Sequence, residues 1–229
     1  MSAFVLGATG FVGRELVRQL CVRGTPTTAH VRPDSKRLAD WREKFGALGA
    51  AVDASEWKVA ELAERFREGK PTQLYILIGT TRTRAKLDAV QGDIYESIDL
   101  GLTQLAVDAV KHAGTPTRII YLSSVGADPK ARSAYLRARG KAEEIVMKCG
   151  LPWAIARPSI ITGDREEPRF GESSAAFVAD ALLALASIVG GKQLRARYRS
   201  TTPDVLASAL IRIGESPTHD QIYDGGDLR

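Results

Sequence analysis

Three glycines spaced G-x-x-G-x-x-G (Gly7, Gly10 and Gly13) stand between a short apolar run and an amphipathic one, and few folds accommodate that order. Ala3 to Leu6 reads as a strand buried on both faces. Val12, Leu16 and Leu20, with Val17 beside them, place one apolar stripe on the helix after the turn. Gly7 permits a sharp turn, Gly10 lets backbone N–H groups approach an anion, and Gly13 lets helix and strand pack closely. The first amides of the helix and its dipole then favour a pyrophosphate. The same glycines alone would suit a tight turn in any α/β protein. The flanking strand and helix make the phosphate reading specific, and Gly7, Thr9, Gly10, Phe11, Val12 and Gly13 become candidate contacts for a dinucleotide.

The rest of the chain repeats the alternation of strand and helix. Strands are predicted at Thr27–Val31, Ala50–Val52, Leu74–Ile78, Ile119–Leu122, Leu151–Ala156 and Ile222–Tyr223. Helical stripes run through Val59, Leu62, Ala63 and Phe66, from Asp93 to Ala113, from Tyr135 to Cys149, from Ala175 to Val189, and from Pro203 onward. This order predicts an α/β, Rossmann-like doubly wound parallel sheet in one domain, residues 1–229, with a small C-terminal cap on the substrate side contributed mainly by residues 163–202.

Charge and composition narrow the function classes. The net charge of +5 is dispersed, with no basic helix or aromatic platform, so nucleic-acid binding is not expected. An anionic nucleotide accounts for the excess at least as well. No apolar run approaches the roughly 20 residues needed to cross a bilayer. The opening residues lack the basic leader of a signal peptide. Cys21 and Cys149 have no neighbour with which to make a metal knuckle or a disulfide framework, and His30, His112 and His219 are scattered. Together these features predict a soluble cytoplasmic protein with reduced thiols and no metal.

Ligands of a doubly wound sheet sit beyond the carboxyl ends of its strands, so the residues just past each strand carry the site. About 20 residues past the glycines, an NAD site would place an acidic residue to accept from the ribose 2′-OH. This chain offers Arg32 there, with Lys36 and Arg37 a turn later, and a guanidinium that can fork onto a 2′-phosphate argues for NADP over NAD. Asp34 is the dissenting charge, with capping of the next helix as the alternative role for it. Asp53 is a candidate partner for the adenine. Gly79 and Thr80 fall near the nicotinamide half, and Arg82, Arg84 and Lys86 beyond them suit an acidic substrate group. Tyr135 and Arg139 lie one turn apart on one helical face.

Gly7-Ala8-Thr9-Gly10-Phe11-Val12-Gly13, Leu77-Ile78-Gly79-Thr80-Thr81-Arg82, Leu122-Ser123-Ser124-Val125-Gly126-Ala127-Asp128, Tyr135, Arg157-Pro158 and Asp164-Arg165-Glu166-Glu167-Pro168-Arg169 occur in this order. In this combination the chain resembles the short-chain dehydrogenase/reductase superfamily, most closely its atypical branch near the Tat-interacting-protein-like oxidoreductases. The resemblance implies hydride transfer between a nicotinamide and a carbonyl or alcohol carbon. It makes Tyr135 the proton donor and Ser124 (or Ser123) the group that polarises the carbonyl. It adds Ile161 and Arg169 to the cofactor contacts. The residue four after the tyrosine is normally a lysine that holds the nicotinamide ribose and lowers the tyrosine pKa. Here it is Arg139, which keeps the charge but does not release a proton.

Two functions are consistent with the residues and the resemblance. One is an NADP-dependent oxidoreductase acting on a small carbonyl or alcohol, as monomer or homodimer. The other is a non-catalytic NADP(H) sensor acting through a protein partner, in which Arg139 would be a decayed catalytic position. A sugar-nucleotide epimerase is less well matched, because the C-terminal part is short for a nucleotide-sugar subdomain.

Overall fold

A computed structural model describes residues 1–79, 95–162 and 200–229. Its centre is a seven-stranded sheet of β1 (Ala3–Leu6), β2 (Thr27–His30), β3 (Ala51–Asp53), β4 (Gln73–Ile76), β5 (Arg118–Leu122), β6 (Trp153–Arg157) and β7 (Gln221–Asp224). The spatial order is β3-β2-β1-β4-β5-β6-β7. Every pairing is parallel, from Ala3 opposite Thr27 in β1–β2 to Arg157 opposite Asp224 in β6–β7. The Rossmann-like doubly wound sheet expected from the sequence is therefore observed. The chain reverses direction of growth between β3 and β4, and the crevice at that switch point opens at the carboxyl ends of β1 and β4.

Six α-helices cover the sheet among the described residues: α1 (Phe11–Val22), α2 (Leu38–Ala47), α3 (Val59–Gly69), α4 (Gly101–Ala113), α5 (Ala134–Met147) and α6 (Pro203–Glu215). Side chains alternate across a strand, so β1 feeds both layers. Val5 packs with Leu16 and Leu20 of α1, Trp41 and Phe45 of α2, and Leu206 and Leu210 of α6. Phe4 and Leu6 pack on the other face with Leu62 and Phe66 of α3, Val107 and Val110 of α4, and Val146 of α5. All four residues of β1 and of β4 are buried, as a central parallel strand requires.

Helix ends obey local chemistry. Pro203 starts α6 at a position where its missing N–H costs nothing. Arg118 donates to the carbonyls of Ser216 and Thr218, groups just past the last turn of that helix. Gly114, at φ 68°, closes α4 through N–H bonds to the carbonyls of Val110 and Lys111.

One predicted element differs. The helix expected from Asp93 opens, among the described residues, with a π-helical turn over Tyr95–Leu100 before α4 begins at Gly101. A π turn widens the helix and shifts the register of the residues after it. Thr103, Ala106 and Ala109 share the buried face with Val107 and Val110, whereas Leu102 and Leu105 are only partly buried. The helix read at Ala175–Val189 and most of the cap at 163–202 lie outside the described residues.

Candidate cofactor site

Steric necessity builds the glycine turn. Gly7 leaves β1 at φ +84°, and a Cβ there would stand 2.5 Å from the Leu77 carbonyl oxygen. A Cβ on Gly13 would fall 2.2 Å from the Gly7 carbonyl oxygen and 2.9 Å from Ala8. Neither position takes a side chain without moving backbone, so α1 rests directly on the turn. The Gly10 N–H donates to the Gly7 carbonyl at 3.0 Å, and the Arg14 N–H donates to the Gly10 carbonyl at 3.0 Å. Gly10 is the N-cap, no side chain caps the helix, and its first turn holds no acidic residue. Val12 is buried under the turn, while Thr9, Gly10 and Phe11 are partly buried at its rim. A glycine-lined cradle at an uncapped helix N-terminus fits the diphosphate of a dinucleotide.

Arg32 comes just after β2 at the same edge of the sheet, with 34% of its side chain exposed and its Nε 3.6 Å from Asp34 Oδ1. Asp34 does not cap the next helix. That helix begins at Leu38 with Arg37 as N-cap, because the chain first makes a turn in which the Ser35 N–H donates to the Arg32 carbonyl at 3.1 Å. Asp34 is instead the partner of Arg32.

Asp53 ends β3, and its Oδ2 accepts from the Ser55 hydroxyl at 2.6 Å and from the Ser55 N–H at 3.3 Å. His30 Nε2 lies 3.9 Å from the same oxygen and 3.0 Å from the Ser55 carbonyl. The imidazole also packs edge-on to Trp57, with centroids 4.9 Å apart. Burial pushes His30 below its ordinary pKa, against the opposing pull of the Ser55 carbonyl and Asp53. Asp53 is thus held by Ser55, and a carboxylate retains further lone pairs for another donor.

The other half of the edge gathers residues from β4, β5, β6, α5 and the π turn. Ser123 and Ser124 lie just past β5, and the two hydroxyls have different surroundings. Ser123 donates to Glu143 Oε1 at 2.5 Å. Glu143 is buried and also receives Arg157 Nε at 2.8 Å on Oε1 and Arg157 Nη2 at 2.5 Å on Oε2. Among the described residues, Ser124 makes only a long 3.3 Å bond to the Val125 carbonyl. Of the two candidates, Ser124 is therefore the one not tied to an interior carboxylate. Its loop is pinned to the start of α5 by the Asp128 N–H donating to the Leu136 carbonyl at 3.2 Å. Gly140 makes that approach possible, because a Cβ there would lie 2.2 Å from the Asp128 carbonyl carbon.

Tyr135 sits in the first turn of α5, partly buried. Arg139 lies beneath it, with its guanidinium carbon 5.3 Å from the Tyr135 ring centroid and 5.8 Å from that of Tyr121. The spacing in the sequence predicts that this arginine presents its charge to a ligand, but the structure turns it inward. Nη1 donates to the Tyr121 hydroxyl and to the Leu122 carbonyl, both at 3.0 Å. Nη2 pairs with Asp99 Oδ2 at 3.2 Å, and the two side chains are 6% and 1% exposed. The physical reason is the buried carboxylate: an interior Asp99 without a cation would be far more costly than an arginine drawn inward. Burial alone would lower the Arg139 pKa, but Tyr121, Tyr135 and Asp99 together hold it firmly charged. Burial likewise pushes the Tyr121 phenol up, with Arg139 opposing.

Gly79 ends the described part of the β4 loop and touches the same group, since a Cβ there would stand 2.8 Å from Arg139 Nη2. Ile161 lies past β6 in a parallel bridge to Thr201 and packs against the core. Thr80, Arg82, Arg84, Lys86 and Arg169 lie outside the described residues. Asp99, Tyr121 and Glu143 do not stand out in the sequence as site residues. A spacing signal does exist for Glu143, four residues after Arg139 on the helical face that carries Tyr135.

A family model described as NAD(P)H-binding matches residues 7–184. The protein fmp52, mitochondrial, of Emericella nidulans is 31% identical over 235 residues, covering 97% of this chain and 91% of the relative. Protein FMP52, mitochondrial, of Debaryomyces hansenii is 30% identical over 168 residues, covering 73% of this chain and 70% of the relative. Two solved structures share the fold. The Thermus thermophilus UDP-glucose 4-epimerase complexed with NAD has a TM-score of 0.69 at 18% identity, covering 100% of this chain and 81% of that one. ChuY, an anaerobillin reductase from Escherichia coli O157:H7, has a TM-score of 0.66 at 16% identity, covering 97% and 95%. The relatives overturn one expectation: they are named mitochondrial, so the cytoplasmic location read from composition is withdrawn. Reduced thiols and the lack of a long apolar run do not distinguish one reducing compartment from another. The chain belongs to the NAD(P)H-binding family, in the atypical branch of the short-chain dehydrogenase/reductase superfamily.

Proposed function

We propose that the protein is an NADP-dependent oxidoreductase that moves hydride between the cofactor and a small carbonyl or alcohol substrate. The observation that carries this reading is the joining of the Ser124 loop to the first turn of α5 through Asp128 and Leu136, which brings the Ser124 hydroxyl and the Tyr135 phenol to the glycine-turn edge of the sheet. The backbone at Gly7, Thr9, Gly10, Phe11, Val12 and Gly13 binds the diphosphate. Arg32 takes the 2′-phosphate, Asp53 lies by the adenine, Gly79 lies by the nicotinamide half, and Ile161 is a further cofactor contact. The bound dinucleotide supplies or accepts the hydride. Ser124 orients the carbonyl oxygen, and the Tyr135 hydroxyl gives it a proton in reduction or takes one in oxidation.

Titration with each dinucleotide tests the cofactor part. NADPH should bind at least tenfold more tightly than NADH, and Arg32→Ala should remove that preference. Equal affinities in the unaltered protein would refute the 2′-phosphate reading. Tyr135→Phe tests the chemistry: turnover on a panel of carbonyls should fall by about 10²–10⁴ while NADPH affinity holds. A second reading, a non-catalytic NADP(H) sensor with a protein partner, is favoured by the inward turn of Arg139. Robust NADPH binding with no turnover on the panel would put it ahead.

A further inference from the structure

Arg139 is the position at which the sequence expects a cation for the nicotinamide ribose, yet its guanidinium is enclosed. Among the described residues, the charged and titratable groups packed around it are Asp99 from the π turn, Tyr121 from β5 and Tyr135 from its own helix. The Leu122 carbonyl takes a further donor, and Nε is buried with no hydrogen-bond partner among the described residues. Three features converge to keep the group there. The π turn over Tyr95–Leu100 delivers Asp99 to the interior, where it is 1% exposed. Thr103, one turn later, donates its hydroxyl to the Asp99 carbonyl at 2.6 Å and fixes that turn. Gly79 leaves the space that Nη2 fills.

We infer that Asp99 is a positioning residue that withholds Arg139 from the cofactor and clamps it beneath Tyr135 as a fixed, charge-neutralised support. This rests on the oxidoreductase reading above; ribose binding then falls to other groups, and Arg139 does not serve as a cation relay behind the tyrosine. The residue that replaces the usual lysine is not a weakened copy of it. It is one half of a buried ion pair whose other half lies in a different element.

The sign of one substitution separates this role from a merely structural one. Asp99→Asn keeps the shape and removes the negative charge, leaving an uncompensated buried guanidinium whose nearest relief is an anionic dinucleotide at the adjoining edge. NADPH should therefore bind Asp99→Asn more tightly than wild type, by threefold or more in fluorescence titration, and adding Arg139→Gln should abolish the gain. A merely structural aspartate would weaken binding when altered, so unchanged or weaker binding by folded Asp99→Asn overturns the inference. If Asp99→Asn does not fold, the neutral pair Asp99→Asn/Arg139→Gln still decides. Its NADPH affinity should lie within about threefold of wild type, whereas a tenfold loss, about 1.4 kcal/mol, would show that Arg139 grips the cofactor. A wild-type protein that binds neither dinucleotide overturns the proposed function and this inference with it. Wild-type binding combined with a tenfold loss in the double variant overturns the inference alone.

Discussion

Glu143→Gln is the sharpest test of how the β5–α5–β6 corner is held. The wild-type carboxylate is 2% exposed and accepts three bonds: Ser123 Oγ at 2.5 Å, Arg157 Nε at 2.8 Å and Arg157 Nη2 at 2.5 Å. Glutamine preserves volume but turns one acceptor into an NH₂ that faces a donor, and it removes the guanidinium's hydrogen-bonded counter-charge, leaving the weaker pull of Asp224 and Asp128. Breaking a buried pair by removing one partner costs about 3–5 kcal/mol. Arg157 keeps 20% of its side chain exposed, so water offsets part of that cost. A loss of about 2–3 kcal/mol is expected, equivalent to a fall of about 5–10 °C in Tm for a domain of this size. Urea denaturation with an unchanged m value would measure it. The double variant Glu143→Leu/Arg157→Met should recover most of the loss, because it removes both charges and leaves neither unpaired. A loss below about 1 kcal/mol in Glu143→Gln, with m unchanged, would refute the view that this carboxylate holds the corner.

His30 gives a pH signature. Its pKa is depressed in the folded protein, chiefly by burial, so the unfolded chain binds the proton more readily. Stability from this group is complete above the ordinary imidazole pKa of about 6.5 and is lost as the pH falls through the lower folded value. His30→Gln should flatten the stability curve across that window, and an unaltered slope would remove His30 as its source. Gly13→Ala sets a Cβ 2.2 Å from the Gly7 carbonyl oxygen, so it should cost more than the usual overpacking penalty of about 1–3 kcal/mol and abolish dinucleotide binding. A Gly13→Ala variant of normal Tm that still binds NADPH would contradict the close packing of α1 on the turn. Gly140→Ala, with a Cβ 2.2 Å from the Asp128 carbonyl carbon, should lower stability similarly while leaving the glycine turn intact, and thermal unfolding would show it.

Local patterns carried most of the fold. The strand Ala3–Leu6 matches its predicted bounds, and Pro203 and Gly114 mark helix ends as expected. The glycine turn was legible because its requirements are short-range: a left-handed Gly7 and a Cβ-free Gly13 act on residues within one turn. The π turn was not legible, since apolar spacing does not record one extra residue in a helical turn. The role of Asp34 stayed open in the sequence because an acid before a helix suits both a cap and an ion pair, and only the Ser35–Arg32 turn decides between them. The relation of Arg139 to Asp99 spans 40 residues in the chain, beyond the reach of any periodicity.

Helix α5 shows why charge on one face is hard to read in advance. Tyr135, Arg139 and Glu143 recur every four residues among the buried Ala138, Ala142 and Val146, so the stripe mixes ionic and apolar groups. Taken alone, its arginine and glutamate look like an ordinary solvated pair on a helix surface. In the fold they do not serve each other: Arg139 pairs with Asp99 and Glu143 with Arg157, each partner in a different element. Such pairs add little net stability over apolar packing, but each accepts only one geometry, because a displaced partner leaves a buried charge alone. The apolar end of α5 at Val146 tolerates small shifts against the sheet. The end that carries Tyr135 is fixed in rotation by two cross-element ion pairs, which is the restraint the proposed proton-donor role requires if the Tyr135 hydroxyl is to meet one atom of a substrate.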